Sequence, residues 1–523
     1  MTTPYDAILI GAGHNGLVCA CYLAAAGQRV LVLERRGIVG GAAVTEEFHP
    51  GFRNSTASYT VGLLDPTIIE DLQLHEHGLE IVPRSMANFL PLADDRSLSI
   101  FNDLERDTHQ FANFSAHDAD ALPAFRAMLR DVGDFVRNYL HETPPKFGYH
   151  PREWLKLLRL GRDFLKLNSI RRRNLVDLFT LPIADLLDLY FENTHVKAAL
   201  AFDALVGNYA SLHTPGTAYG LLHHALGEVA SQYGAWGHPI GGMGAITQAM
   251  LRQAQKLGVH VETNAEVSKV LIQNGRVCGV LTRDGSIYDA KVVAANCAPK
   301  QLYCDLIDRD YLDSEQRRRI AVTRTESAVL RINVALSDLP QFTCKPSTSE
   351  AEHHRAGIVI GPSLEYMEQA YLDARQGRWS LAPVIEMVIP STVDSTLVPP
   401  GKHVASLFCQ YFPYARDWDK HRELAADSVF QTIDKFAPNF SSSVIARQIL
   451  TPLDLKRRFH LPGGDIFHGA HIPSQIWVNR PLSGYASYKG MLRGLFHCGA
   501  GAHPGGGVSG IPGRNAAQEI LRS

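Results

Sequence analysis

The sequence predicts an α/β protein: a dinucleotide-binding domain assembled from separated stretches of chain, joined to an α+β domain of mixed sheet and helices. Three observations predict it. A strand, glycine turn, helix and second strand fill the first forty residues; a series of strands runs from 259 to 296; and a strand, a glycine-rich loop and a helix close the sequence. At 523 residues the chain is longer than one hydrophobic core usually supports, so two intertwined domains are expected.

The first unit reads in order. Tyr5–Ile10 is an apolar strand that meets Gly11-Ala12-Gly13-His14-Asn15-Gly16, and the helix that follows closes at Gly27. A second strand, Arg29–Leu33, ends in Glu34. Gly11 permits the tight turn, Gly13 lets backbone approach a pyrophosphate, and Gly16 lets the helix lie close to the strand. Ala20 and Ala24 extend that close-packing face. The helix start at His14 and Asn15 offers free N–H groups to a phosphate, and Glu34 is placed to accept ribose hydroxyls. This is a Rossmann-type fingerprint with its acid in place. FAD and NAD(P) both fit it. Glu34 disfavours the 2′-phosphate of NADP, while Arg35 and Arg36 read either as compensation for that acid or as surface charge.

Gly40-Gly41, in "GIVGGAAVTEEFHPGF", resembles the second glycine motif of FAD-binding oxidoreductases, where a loop folds back over the pyrophosphate. That resemblance selects FAD. Further on, a helix from about Gly244 to Leu257 stops at a glycine cap, Gly258. Strands Val259–Glu262, Val267–Ile272, Val277–Thr282, Ile287–Tyr288 and Lys291–Ala295 follow, with Asn274-Gly275 and Asp284-Gly285 as turns. This series resembles the third block of the same superfamily, in which backbone at Val267 meets the adenine and the strand through Ala295 returns beneath the cofactor. The last stretch, "GLFHCGAGAHPGGGVSGIPGRNAAQEI", gives a strand Leu495–Cys498, a glycine loop and a helix from about Gly507. This resembles the way FAD-binding oxidoreductases end their chain, a resemblance that implies a helix N-terminus directed at the flavin, where it would stabilise negative charge.

Taken together, "GGAAVTEEFHPGFRNSTASY", "TPGTAYGLLHHALGEV", "GAWGHPIGGMGAITQAM", "LPGGDIFHG" and "CGAGAHPGGGVSGIPGRNAA" make the chain similar to the phytoene desaturase-type FAD-dependent oxidoreductases over nearly its whole length. The resemblance implies an FAD site built by Gly11, Gly13, His14, Asn15, Gly16, Glu34, Arg35, Gly40, Gly41, Ala42, Val267, Ala295, Gly499, Gly507 and Val508. It implies desaturase or dehydrogenase chemistry on a hydrophobic small molecule, with electrons passed to oxygen, a quinone or another acceptor. A flavin-dependent isomerase or hydratase, or an FAD-containing binding protein, are the other readings. Ala42 stands where many relatives carry Arg, and Ala500 where many carry Asp. No C-x-x-C pair and no second nucleotide fingerprint occur among the eight cysteines and remaining glycine turns, so reduced, mostly buried thiols are expected.

Segments 1–60, 225–305 and 485–523 are assigned to the FAD-binding domain, and 61–224 and 306–484 to the substrate domain. The cofactor carries the difficult chemistry, so a catalytic base need not be visible. His503 in the flavin loop, with Trp236 and His238 before Gly241-Gly242, are the candidates; His223 and His224 read as structural. No metal cluster is expected. Lys+Arg of 51 against Asp+Glu of 53 leaves a net charge of −2, which argues against nucleic acid as a partner. With no leader-like start and no apolar run near ~18 residues, a cytoplasmic chain is expected. Pro151–Arg173 carries eight basic and two acidic residues beside Trp154, Leu157, Leu158, Phe164 and Leu165. It reads either as a cover for the substrate-domain core or as a peripheral contact with an anionic membrane. The sequence does not specify the oligomeric state.

Overall fold

A computed structural model describes residues 5–146, 151–347 and 349–523. Two seven-stranded sheets organise it. The first runs His260–Glu262, Val30–Leu33, Tyr5–Ile10, Ile287–Ala295, Arg276–Thr282, Val267–Gln273, with Leu495–His497 added beside Ile287–Ala295. The pairings among the first four strands and to Leu495–His497 are parallel, and those of the Val267–Thr282 hairpin are antiparallel. The expected strands Ile287–Tyr288 and Lys291–Ala295 are one continuous strand, because both ladders of the sheet run through it.

Parallel strands buried on both faces need near-continuous apolar runs, and "AILI" and "VLVL" supply them with every residue buried. The helix His14–Ala25 lies in the core against the terminal helix Ile511–Leu521 and the helix Gly244–Lys256. That terminal helix starts four residues later than expected. Gly507 (φ 104°) and Gly510 (φ 79°) hold left-handed backbone that no right-handed helix accommodates.

The second sheet runs Val444–Leu450, Val329–Leu336, His403–Gln410, Val384–Val388, Gly357–Ile360, Asn88–Pro91, Ser97–Ile100. One face packs on the helix Trp418–Asp434 around Trp418, Phe342 and Phe412; the helices between 104 and 225 form a separate core with Leu90 and Leu98. The segment expected to open the substrate domain packs elsewhere: Val61, Leu64, Ile68, Leu72 and Leu79 join the core of the first sheet. Leu306, Ile307 and Ile320 do so on its other side. The chain that follows segments 1–60 and 225–305 therefore packs on the first sheet, because its apolar side chains find that nearer core. Among the described residues, no helix is long and apolar enough to cross a membrane.

The terminal helix docks through Gly513, where an added Cβ would stand 2.1 Å from Asn15 O. Gly513→Val should therefore cost about 1–3 kcal/mol, read as a lower urea midpoint with an unchanged slope.

Candidate active site

The first sheet brings the carboxyl ends of Tyr5–Ile10, Val30–Leu33, Ile287–Ala295 and Leu495–His497 to one edge, with Ile10 level with Leu33 and Ala295, and Ala295 level with His497. Ligands bind at such carboxyl ends in open α/β sheets. There the glycine turn closes tightly: Gly11 N donates to Leu33 O (2.8 Å) and Gly40 N to Ala12 O (2.8 Å), so the second glycine motif lies on the first. Asn296 wedges beneath the turn, its Nδ2 donating to Gly11 O at 3.3 Å. A Cβ on Gly13 would meet that amide at 2.7 Å, and one on Gly16 would stand 2.3 Å from Gly11 O. Glu34 is buried; its Oε2 accepts from Ala12 N (2.9 Å) and its Oε1 from Arg36 N (2.8 Å).

A cavity of about 260 Å³ opens along this edge. Glu34, Arg35, Ala265 and Val267 line one part, and Gly11, Gly13, His14, Asn15, Gly41 and Ala42 another. Leu63, His224, Trp236, Arg331, Phe408 and Phe467 line a third, with Ala500, Gly507 and Val508. His14 Nε2 lies 3.1 Å from Gly507 O, which ties the two ends of the chain together at the cavity wall.

Four expected site residues lie behind the wall. Gly16 and Gly40 provide close backbone packing, and Gly499 sits on Asn296, where its Cβ would be 2.4 Å from Asn296 O. Ala295 points into the core by strand alternation; its neighbour Asn296 faces the cavity instead. His503 is buried outside the cavity with Nε2 3.1 Å from Tyr139 O. His238 is held by Asp394 at 3.0 Å, away from the cavity. Burial opposes ionisation of Asp394, yet hydrogen bonds from His238, Thr396 and Gly241 N hold its carboxyl down at about 2. Of the catalytic candidates only Trp236 lines the cavity.

Tyr59, His224 and Arg331 were not singled out for the site by sequence. Arg331 is buried in a strand that is apolar but for it and Asn333, and a cation in "VLRINVAL" is itself a signal. Its guanidinium lies 4.4 Å from the Tyr59 ring centroid and donates to Ala57 O, Leu407 O and Ser406 Oγ. The Tyr59 hydroxyl donates to Glu386, which also pairs with Arg84.

These residues fit a dinucleotide. The buried Asn15 Oδ1 beside the turn has no partner, the first-turn N–H groups have none within the helix, and the Gly13–Gly41 approach has no room for side chains. Gly11, Gly13, His14, Asn15 and Gly41 would hold the pyrophosphate, and Glu34 the ribose.

Burial keeps the histidines around this site neutral: the imidazoles of His223 and His468 are pushed down to about 3, and those of His14, His497 and His503 to about 4, from an ordinary 6.5. Between these values and 6.5 the unfolded chain binds more protons than the fold. Stability should thus be complete above pH 6.5 and fall steadily as pH drops toward 4, measured as melting temperature against pH.

Residues 16–317 match the family "Flavin containing amine oxidoreductase". The chain is 39% identical to rat pyridine nucleotide-disulfide oxidoreductase domain-containing protein 2, covering 99% of this chain and 93% of that one. It is 25% identical to the lycopene-forming phytoene desaturase of Pseudescherichia vulneris, covering 96% of each. An oxidoreductase structure from Methanosarcina mazei shares the fold, with TM-score 0.57 and 17% identity over 99% of this chain and 100% of that one. The expected cofactor and fold stand: the protein uses FAD for oxidation, and the chain belongs to the flavin-containing amine oxidoreductase family.

Proposed function

We propose that the protein is a desaturase- or dehydrogenase-type enzyme, phytoene dehydrogenase-like, that removes a hydride from a hydrophobic small molecule. The supporting observation is the apolar character of the cavity beyond the dinucleotide-binding part: Leu63, Val206, Trp236, Phe408, Ile466 and Phe467 surround it. Arg331 at the cavity wall is held by Ala57 O, Leu407 O and Ser406 Oγ. A phytoene desaturase among the relatives is consistent with this chemistry. Electrons would pass on to oxygen, a quinone or another acceptor.

FAD, when bound, supplies the acceptor for the hydride. The chain supplies a largely apolar wall and a proton acceptor. His224 lines the cavity beside Trp236, ring centroids 5.6 Å apart. Its Nδ1 lies 2.9 Å from Gly220 O. A carbonyl accepts only, so Nδ1 carries the proton and Nε2 keeps the lone pair. Burial lowers the His224 pKa below its ordinary value, so the ring is neutral in the resting protein. Loss of a hydride from one carbon and of a proton to Nε2 from its neighbour leaves a new double bond, with charge and electrons balanced.

Anaerobic mixing of the FAD-loaded protein with isoprenoid and other apolar substrates should bleach the oxidised flavin absorbance. Product formed only after chemical pre-reduction would replace this reading with a non-redox isomerase or hydratase. His224→Phe should slow flavin reduction by about 10²-fold or more while leaving the bound flavin stoichiometry unchanged. Gly13→Val, by contrast, should yield protein without flavin absorbance, because its Cβ meets the Asn296 amide at 2.7 Å.

A further inference from the structure

The basic stretch forms two helices, Pro151–Lys166 and Ser169–Thr180, broken where Asn168 caps the second by accepting from Arg171 N at 2.9 Å. In an α-helix successive residues turn by about 100°, which separates the first helix into two apolar stripes. Leu157, Leu160 and Phe164 face the protein and are half-buried. Trp154, Leu158 and Leu165 form a second stripe about 110° round the helix, 55%, 66% and 68% exposed, with Leu155 beside them.

The charges are sorted in the same way. Both acids of this helix turn toward the protein: Glu153 accepts from Lys146 N at 2.7 Å, and Asp163 from the Tyr139 hydroxyl at 3.1 Å. Among the described residues of this helix, the outward side therefore presents only apolar and basic side chains, with Arg159, Arg162 and Lys166 beside the tryptophan–leucine stripe. Asp163 and Glu142 pair with these cations from the inner edge, and Asp131 pairs with Arg171. The second helix continues the pattern, with Ile170 and Val176 exposed near Arg171 and Arg173.

A surface helix ordinarily turns its apolar stripe inward, and a contiguous exposed apolar patch marks a contact surface. We propose that this face docks the protein on an anionic lipid surface, with Trp154, Leu158 and Leu165 entering the headgroup boundary and Arg159, Arg162 and Lys166 meeting the phosphates. The choice of lipid rests on charge. A two-fold contact between copies would set the same three cations against each other, whereas anionic headgroups neutralise them. Tryptophan suits the boundary, since its ring is apolar and its N–H finds a polar partner. The surface also connects to the flavin loop: Tyr139, which bonds Asp163 through its hydroxyl, lies with its carbonyl 3.1 Å from His503 Nε2, and Leu140 O accepts from Asn515 in the terminal helix.

The test is co-sedimentation of the full-length, FAD-loaded protein with phosphatidylcholine vesicles, with and without phosphatidylglycerol. The protein should sediment with the anionic vesicles, remain in the supernatant with phosphatidylcholine alone, and be released by high salt. Trp154→Ser combined with Leu158→Ser, and separately Arg162→Glu, should each weaken binding at least tenfold without changing flavin content or melting temperature. Equal binding by wild type and both variants would overturn the proposal, as would a wild type that ignores anionic vesicles. A wild-type dimer that the double variant turns into a monomer, with no vesicle binding by either, would assign the face to self-association instead.

Discussion

The whole site depends on a few places where backbone touches backbone with no room for a Cβ. Gly16 approaches Gly11 O, Gly513 approaches Asn15 O, and Gly499 approaches Asn296 O; each added Cβ would lie 2.1–2.4 Å from its neighbour. Three distant stretches of chain, the opening turn, the strand end at Asn296 and the terminal loop and helix, are thereby forced onto one another. The parallel register of the strands sets their level, but the glycines set how close they come. A larger residue at any of these points would push the terminal helix or the turn off the strand ends, and with them the wall of the cavity.

Buried charge holds the rest of the cavity in place. Arg331 spans the second sheet and the Ala57 segment of the first domain, and Arg480 spans the 467–475 segment and the terminal loop. Arg480 donates to Phe467 O, Gly469 O, Gln475 O and twice to Ala500 O. A planar guanidinium with five donors satisfies several carbonyls at once, which an ammonium does not. Burial lowers both arginines to about 10, so they remain cations at neutral pH. Asp465 is a nearby buried counter-charge; burial pushes its carboxyl up, against hydrogen bonds from Phe467 N, Ser327 and Gly469 N. Removing either arginine would leave carbonyls without partners beside the cofactor cavity.

The histidines show the opposite solution. His223, His471 and Phe467 pack ring on ring, with His223 and His471 centroids 4.5 Å apart and Phe467 stacked on His471 at 4.1 Å. Close to Arg480 and to each other, these rings would repel a proton, and burial disfavours the charged form further. They serve as neutral aromatic packing, and His471 Nε2 also accepts from Gly506 N at 3.0 Å. His224 differs in lining the cavity.

Much of the dinucleotide site was legible because its demands are local. A tight turn needs Gly11, a close approach needs Gly13, and the ribose acid must end the second strand, so "GAGHNG" and Glu34 announce themselves within thirty residues. Strand alternation decided against Ala295 and for Asn296, a one-residue difference that depends on which face the sheet buries. The reach of segments 61–79 and 306–320 into the first core, and the gathering of Tyr59, His224, Arg331 and Phe467 round one cavity, depend on contacts hundreds of residues apart. No spacing records those contacts. By itself the sequence determined the βαβ unit, the FAD motifs and the return of the chain's end to its beginning, because these follow from backbone sterics within short motifs. Only the tertiary structure decided which histidine faces the cavity and which side of the basic helix faces solvent, because both are set by what the rest of the chain packs against them.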